Sequence, residues 1–204
     1  MPDHIIVHKV CYDAEHKKQQ EQSHKNEDIP QSKELINYYN KALSSQDKGR
    51  ENQAKFYIKK ALGEKSKDQH LLMKLKDLIL EIEYDDFEED ATVCFDWLVK
   101  LNPHNQELWV EYIDFLIDYV GDITETIDAA LIQCPKSEQL LEMKCNVFIE
   151  EEENGIEILR TLKRLKDVNP SNNSIQKFKE VAIEILMENE EDDDPEVWEL
   201  IESI

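Results

Sequence analysis

The chain has 204 residues and a net charge of −22, with 34% charged residues but only four Gly and six Pro. This length favours one sizeable domain, and the scarcity of Gly and Pro favours helices. Residues 1–66 carry 12 basic and 10 acidic side chains, whereas residues 67–204 carry 12 and 36, a net of −24. A field of that sign repels nucleic acid and anionic lipid and attracts cationic partners. We therefore expect a protein partner with a basic segment and no direct nucleic-acid binding.

No stretch approaches the roughly 18 apolar residues of a membrane span, and the start "MPDHIIVHK" lacks the pattern of a signal peptide. The four cysteines form no CxxC pair. This usage predicts reduced thiols and a cytoplasmic or nuclear location.

The first 32 residues differ from the rest in composition. Residues 13–32 are almost wholly polar and cannot form a core, so we predict a flexible N-terminal segment over 1–32 and a folded domain over 33–204. Residues 4–12, "HIIVHKVCY", are more apolar. They are expected either to dock as a short arm or to fray.

From residue 33 onward, apolar residues follow helical spacings, and a period of about 34 residues overlies them. Pro103, Pro135 and Pro170 each end an apolar helical run. Two types of helix alternate along the chain. Helix A has apolar residues at i, i+3, i+4 and i+7. Helix B follows it, has apolar residues at i, i+4 and i+7, and ends at the break. The helix-B sets are Ala54/Ile58/Ala61, Ala91/Phe95/Leu98, Ile123/Ile127/Ala130 and Ile158/Leu162/Leu165. The helix-A sets are Tyr38/Lys41/Ala42/Ser45, Leu75/Leu78/Ile79/Ile82, Trp109/Tyr112/Ile113/Leu116 and Leu141/Lys144/Cys145/Phe148. A fifth helix of type A carries Ile175, Phe178, Ala182 and Ile185 at i, i+3, i+7 and i+10.

The connections between the two helix types carry their own signals. Gly49, Gly121 and Gly155 are expected in the turns from helix A to helix B, with Asp85 and Asp86 in that place in the second repeat. Counted from Pro103 to Pro135, helix B of the third repeat is about three residues shorter than in the repeat that follows.

A closing helix follows the last acidic run. Asp194 and Pro195 form a helix-start signature, so this helix is expected to begin at Pro195. Val197, Trp198 and Ile201 are expected to form its buried stripe.

These features resemble the tetratricopeptide (TPR) superfamily, through the two-helix period, the Ala91/Phe95/Leu98 pattern and the Pro that ends helix B. The segment "LWVEYIDFLIDYVGD" is similar to the half-a-TPR (HAT) variant, whose first helix carries Trp, Tyr and Phe at this spacing. The resemblance covers residues 33–204, as four helix pairs and a closing pair. It implies an all-α α-solenoid with a C-terminal capping helix, in which helix A lines the concave surface. Such arrays bind peptides or hold assemblies together and are not usually enzymes.

The resemblance also places candidate partner-binding residues on helix A. Its ligand-facing positions are here Glu83, Glu107, Asp114, Asp118, Glu142 and Glu150. They imply a carboxylate-rich groove for a Lys/Arg segment; alternatively, they are the solvated faces of an acidic protein. Lys76 matches one position of the clamp by which some TPR domains hold acidic chaperone tails, but Val110 replaces another of its residues. The clamp is therefore largely absent.

No catalytic or cofactor motif is present: the sequence lacks a Gly-rich phosphate loop, a nucleophile elbow and His-Glu-x-x-His. We predict no enzyme and no cofactor. His4, His8 and Cys11 have a spacing that three metal ligands use, but a fourth ligand is not fixed, so we predict no metal site. The acidic runs 150–153 and 188–194 lack the pattern of a calcium loop and are interpreted as solvated linkers.

Two functions remain open at this stage. The first is an adaptor or dedicated chaperone that holds a basic segment, ribosomal-protein or histone-like, during nucleoprotein assembly such as ribosome biogenesis. The alternative is a HAT-type scaffold subunit of an RNA-processing complex, which binds other proteins through apolar surfaces. The sequence does not fix the oligomeric state.

Overall fold

The computed structural model describes residues 33–64, 67–121, 123–150, 155–188 and 195–204; the predicted N-terminal segment and most of both acidic runs lie outside them. The described residues form helices and no strands, which confirms the all-α prediction. The ten helices are α1 Lys33–Gln46, α2 Glu51–Gly63, α3 Gln69–Ile82, α4 Phe87–Leu101, α5 Gln106–Tyr119, α6 Thr124–Gln133, α7 Glu138–Glu150, α8 Gly155–Val168, α9 Ser174–Glu188 and α10 Pro195–Ser203. None of them is long and apolar enough to cross a membrane.

The helices pack in pairs, as expected for an α-solenoid. The odd-numbered helices are the predicted helices A, and the even-numbered ones are the helices B. Each helix A contacts helix B of its own pair over α1 to α8, while α1 packs on α3, α7 on α9, α2 on α4 and α8 on α10. Helices of one type therefore pack closely on each other at both ends of the array, and the core lies between the helices A and the helices B.

The predicted apolar sets fill this core. Ala91, Phe95 and Leu98 of α4 are fully buried. The Phe95 ring stacks on Tyr112 of α5, with centroids 4.9 Å apart and an angle of 6° between the planes. Trp109 of α5 is also buried. The aromatic residues of the 107–121 stretch are thus mainly core residues, as the periodicity predicts.

The turns agree with the prediction at two of the three glycines. Gly49 and Gly121 have φ of 62° and 99°, and Asp86 takes the same left-handed region with φ of 61°. The prediction was wrong for Gly155, which is the first residue of α8. A Cβ there would lie 2.9 Å from the carbonyl oxygen of Ala182 in α9. Gly155 is therefore required by the close approach of two helices rather than by a turn.

The closing helix begins at Pro195, as predicted, but its buried stripe differs from the prediction. Val197 and Leu200 are buried, whereas Trp198 is 53% exposed. Residues three apart share a helix face, while Trp198 is turned by about 100° from Val197. Helix α8 meets the Val197 side, so the indole is left outside the core.

Candidate functional site

Helix α5 carries four carboxylates on one face. Glu107, Glu111, Asp114 and Asp118 follow the spacing i, i+4, i+7 and i+11, which places them in a single row, and all four are exposed. We call this row the acidic stripe. The opposite face of α5 is the buried aromatic face. The amphipathic pattern of one helix therefore separates core from candidate site.

The row joins three predicted site residues and one that the sequence did not assign to the site, Glu111. Glu111 accepts a hydrogen bond and forms an ion pair with Lys76 of α3, the preceding helix A. The sequence signal that would have found this pairing is the separation of 35 residues, one repeat.

Lys76 was expected among the partner-binding residues, but its side chain is only 2% exposed. Its ammonium also forms an ion pair with Asp77 at 3.1 Å and lies 5.4 Å from the centre of the Phe95 ring. The aliphatic stem is long enough to pass through the core and bring the charge to Glu111 at the edge. Lys76 thus serves an intrachain contact, and we leave it out of the binding surface.

Glu83 lies at the C-terminal end of the acidic stripe. Tyr119 donates a hydrogen bond to it over 3.3 Å and packs edge-on against Phe87, with ring centroids 5.1 Å apart. The negative charge of Glu83 raises the pKa of Tyr119, with smaller contributions from burial, Asp118 and Glu88. The structure therefore brings Glu83 and Asp118 around one phenol at the junction of α3, α4 and α5.

The carboxylates of the stripe are only partly neutralised within the chain. Burial raises the pKa of Asp114, and the charge of Asp118 one turn away adds to this effect. Among the described residues, ion pairs reach Glu111 but not Glu107, Asp114 or Asp118. Like charges four residues apart on a helix destabilise it by roughly 0.2–0.5 kcal/mol per pair. A bound cation would relieve that repulsion.

The two predicted residues of α7 are placed differently. Glu142 is half-buried and accepts a hydrogen bond from Asn172 at 2.8 Å, in the loop before α9. Glu138 accepts from Asn169 at 2.8 Å and from Asn172 at 3.2 Å, and these bonds lower its pKa. Glu142 therefore belongs to the junction between two repeats. Glu150 is exposed at the end of α7, and no contact within the described part of the chain joins it to the acidic stripe.

Exposed apolar residues border the stripe at its C-terminal end. Ile117, Tyr119 and Val120 are each about half exposed, between 44% and 51%. We call these three residues the apolar edge. Scattered apolar residues are normal on a surface, but here they adjoin a row of carboxylates. The sequence analysis assigned carboxylates of this helix to the binding surface but none of these three apolar residues.

The described residues contain no group of His, Cys, Asp and Glu that could hold a metal ion, and His4, His8 and Cys11 lie outside them. Cys94, Cys134 and Cys145 are free thiols. Comparison with protein-family models and with curated proteins finds no match to this chain. The TPR and HAT resemblance stays a prediction from the residue pattern.

Proposed function

We propose that this chain is a non-enzymatic adaptor or dedicated chaperone that holds a basic segment of another protein against α5 and the neighbouring helices A. The observation that carries the proposal is the acidic stripe, in which four exposed carboxylates share one helix face and only Glu111 has a cation within the described residues. Lys and Arg side chains complement such a row electrostatically.

The apolar edge narrows the chemistry of this partner. A segment that alternates cations with aliphatic residues would place its charges on the acidic stripe and its apolar side chains on Ile117 and Val120. Tyr119 adds an aromatic face for a cation, a contact of about 0.5–1 kcal/mol at exposed sites. Basic extensions of ribosomal proteins and histone-like tails are rich in the cations of such a segment. Such clients would place the protein in nucleoprotein assembly, in the cytoplasm or the nucleus.

This proposal treats the array as a TPR-like or HAT-like solenoid whose helices A form the concave surface. The scaffold of an RNA-processing complex is the second candidate, and the exposure of the apolar edge is the observation that favours it. The two candidates differ in salt dependence. Exposed ion pairs weaken as salt rises, whereas a contact with an apolar centre does not.

A fluorescent peptide of alternating Arg and Leu tests the proposal, with binding to the full chain measured by anisotropy at low and high salt. The site variant is Asp114→Lys with Asp118→Lys. The control variant is Glu199→Lys with Glu202→Lys, two exposed carboxylates on α10. Both variants change the net charge by the same amount, so the difference between them isolates the stripe from the overall field.

We expect the site variant to weaken binding at least about fourfold more than the control. Two exposed ion pairs contribute roughly 0.2–1 kcal/mol each, and reversal turns their attraction into repulsion. Equal losses in both variants would show that only net charge matters, and the proposal would fail. Binding that survives high salt would favour the scaffold. Capture from native extract with parallel low-salt and high-salt washes would then identify the natural partner by mass spectrometry.

A further inference from the structure

A second surface lies on the opposite layer of the array, between α4 and α6. It is a groove of about 440 Å³ whose walls include Val99 of α4 and Ala129 and Ile132 of α6, and whose floor includes Trp109 and Tyr112 of α5. We call it the helix-B groove. Its volume lies within the range of about 300–1,000 Å³ typical of ligand pockets, which is room for a few aliphatic side chains.

Helix α6 is shorter than the two helices B that precede it. Helix α6 has 10 residues, against 13 in α2 and 15 in α4. Elsewhere in this layer α2 packs on α4 and α8 on α10, whereas α4 and α6 flank a cavity. The lining follows α6 from Glu125 to Gln133, so the groove runs along the whole of this helix.

The polar atoms of the floor already have partners. The Trp109 Nε1 atom donates to the carbonyl oxygen of Pro103 over 2.7 Å, and the Tyr112 hydroxyl donates to Asp96 over 2.9 Å. Both rings are buried, at 6% and 4% exposure, so the apolar surface open to an occupant lies on α6, at the exposed Ala129 and Ile132. Ile132 at the rim is 74% exposed, an unfavourable state for a large aliphatic side chain that a bound apolar segment would remove.

We propose that residues 4–12 of this chain occupy the helix-B groove. This segment supplies Ile5, Ile6 and Val7, whereas the spacer that follows it is almost wholly polar. The segment contains Lys9 and no acidic residue, while the groove carries the carboxylates of Asp96 and Glu125 and the ammonium of Lys100, which pairs with Asp96 at 3.7 Å. The segment therefore matches the groove in apolar character, and Lys9 complements the charge of Glu125.

The spacer is long enough for this contact. Residues 13–32 span at most roughly 65 Å when extended, and a flexible chain of that length has a mean end-to-end distance of roughly 25 Å. Packed helices lie about 8–10 Å apart, so a groove two or three helices from α1 is within reach. Tethering gives an effective concentration in the millimolar range, so even a weak contact would be well populated.

Cross-linking in the full chain tests the proposal. The variant Ile132→Cys with Cys134→Ser places a thiol on the rim of the groove, and the native Cys11 supplies one next to the apolar residues. Cys94 and Cys145 are fully buried and do not compete. The matched control places the thiol at the exposed Phe56 of α2, in the same Cys134→Ser background. A short bis-maleimide is added to dilute protein, and the linked peptides are quantified by mass spectrometry.

We expect intrachain links from Cys11 to position 132 to exceed those to position 56 several-fold. Phe56 lies in the first helix pair, next to α1, so an unbound arm would reach it at least as readily. The further change Ile6→Asp is expected to abolish this preference. The proposal would be overturned by equal links at the two positions or by the absence of any effect of Ile6→Asp. Links mainly between molecules would also overturn it and would indicate a second copy of the chain as the occupant. Labelling with a single maleimide confirms that each thiol reacts, so an absent link also counts against it.

Discussion

The ion pair between Lys76 and Glu111 allows a sharp prediction, because its two members differ in burial. The Lys76 side chain is 2% exposed, whereas that of Glu111 is 45% exposed. Replacing Glu111 by Gln leaves an ammonium inside the protein, with Asp77 at 3.1 Å and the Phe95 ring as its remaining partners. Replacing Lys76 by Met keeps the aliphatic stem and leaves the carboxylates of Glu111 and Asp77, which water can solvate because they are 45% and 65% exposed.

The magnitudes follow from this asymmetry. Removing one partner of a buried ion pair costs about 3–5 kcal/mol when the other charge is left uncompensated. Asp77 and the Phe95 ring compensate part of it, since a surface ion pair and a cation–π contact each contribute about 0.5–1 kcal/mol. We therefore expect Glu111→Gln to lower the free energy of unfolding by about 1–4 kcal/mol. Lys76→Met is expected to change it by less than about 1 kcal/mol, because hydrophobic replacements of buried ions are often neutral.

Urea unfolding followed by circular dichroism measures both changes through the shift of the midpoint at constant slope. The variant with both substitutions completes a double-mutant cycle. Its free energy of unfolding should be close to that of Lys76→Met alone. A larger loss for Lys76→Met than for Glu111→Gln would refute the reasoning. It would mean that the ammonium is solvated and that the stem packs better than its replacement.

Three further predictions concern other sites. Gly155→Ala should lower the free energy of unfolding, measured in thermal melts, by about 1–3 kcal/mol because the added methyl group overpacks the contact with α9. Gly63→Ala should raise it by up to about 1 kcal/mol, because a Cβ at this position meets nothing within 4 Å. Burial raises the pKa of Cys94 and Cys145 to about 12, so both should resist a thiol reagent at pH 8 until the protein is unfolded in urea. Because these thiols keep their protons in the folded state while unfolded thiols ionise near pH 9, the unfolding free energy should fall as pH rises from about 9 to 12. Asp114→Asn should leave the free energy of unfolding at pH 7 unchanged or slightly higher, since the fold raises the pKa of this carboxyl and so disfavours its charged form. The same substitution should weaken binding of the Arg/Leu peptide.

The fold could be predicted because each helix pair is specified by local spacing. The Ala91/Phe95/Leu98 set, for example, indicates both a helix and the face that it buries, and both are found in α4. In a repeat array each unit contacts mainly its neighbours, so correct local assignments give the architecture directly. The one-repeat separation of Lys76 and Glu111 follows the same logic.

What could not be predicted depends on how closely neighbouring helices approach. Spacing gives the direction of a side chain but not the depth at which the next helix covers it, so Lys76 was expected at the surface and Trp198 in the core. Gly155 was missed for the same reason, because its close neighbour lies in α9 rather than in its own turn. The helix-B groove depends on how far apart α4 and α6 lie, which the spacing of residues within each helix does not give.

The placement of charge on α5 argues against solubility as its whole explanation. A charge spread evenly over ten helices would keep the protein soluble with little repulsion between neighbours. The acidic stripe instead places Glu107 with Glu111 and Asp114 with Asp118, two like-charge pairs at i and i+4, which cost the free helix roughly 0.5–1 kcal/mol in total. One member is held by Lys76, and the others face outward beside an apolar edge. A basic segment would convert that repulsion into attraction, and this is why the stripe variant and the α10 control should differ in binding although they carry the same net charge.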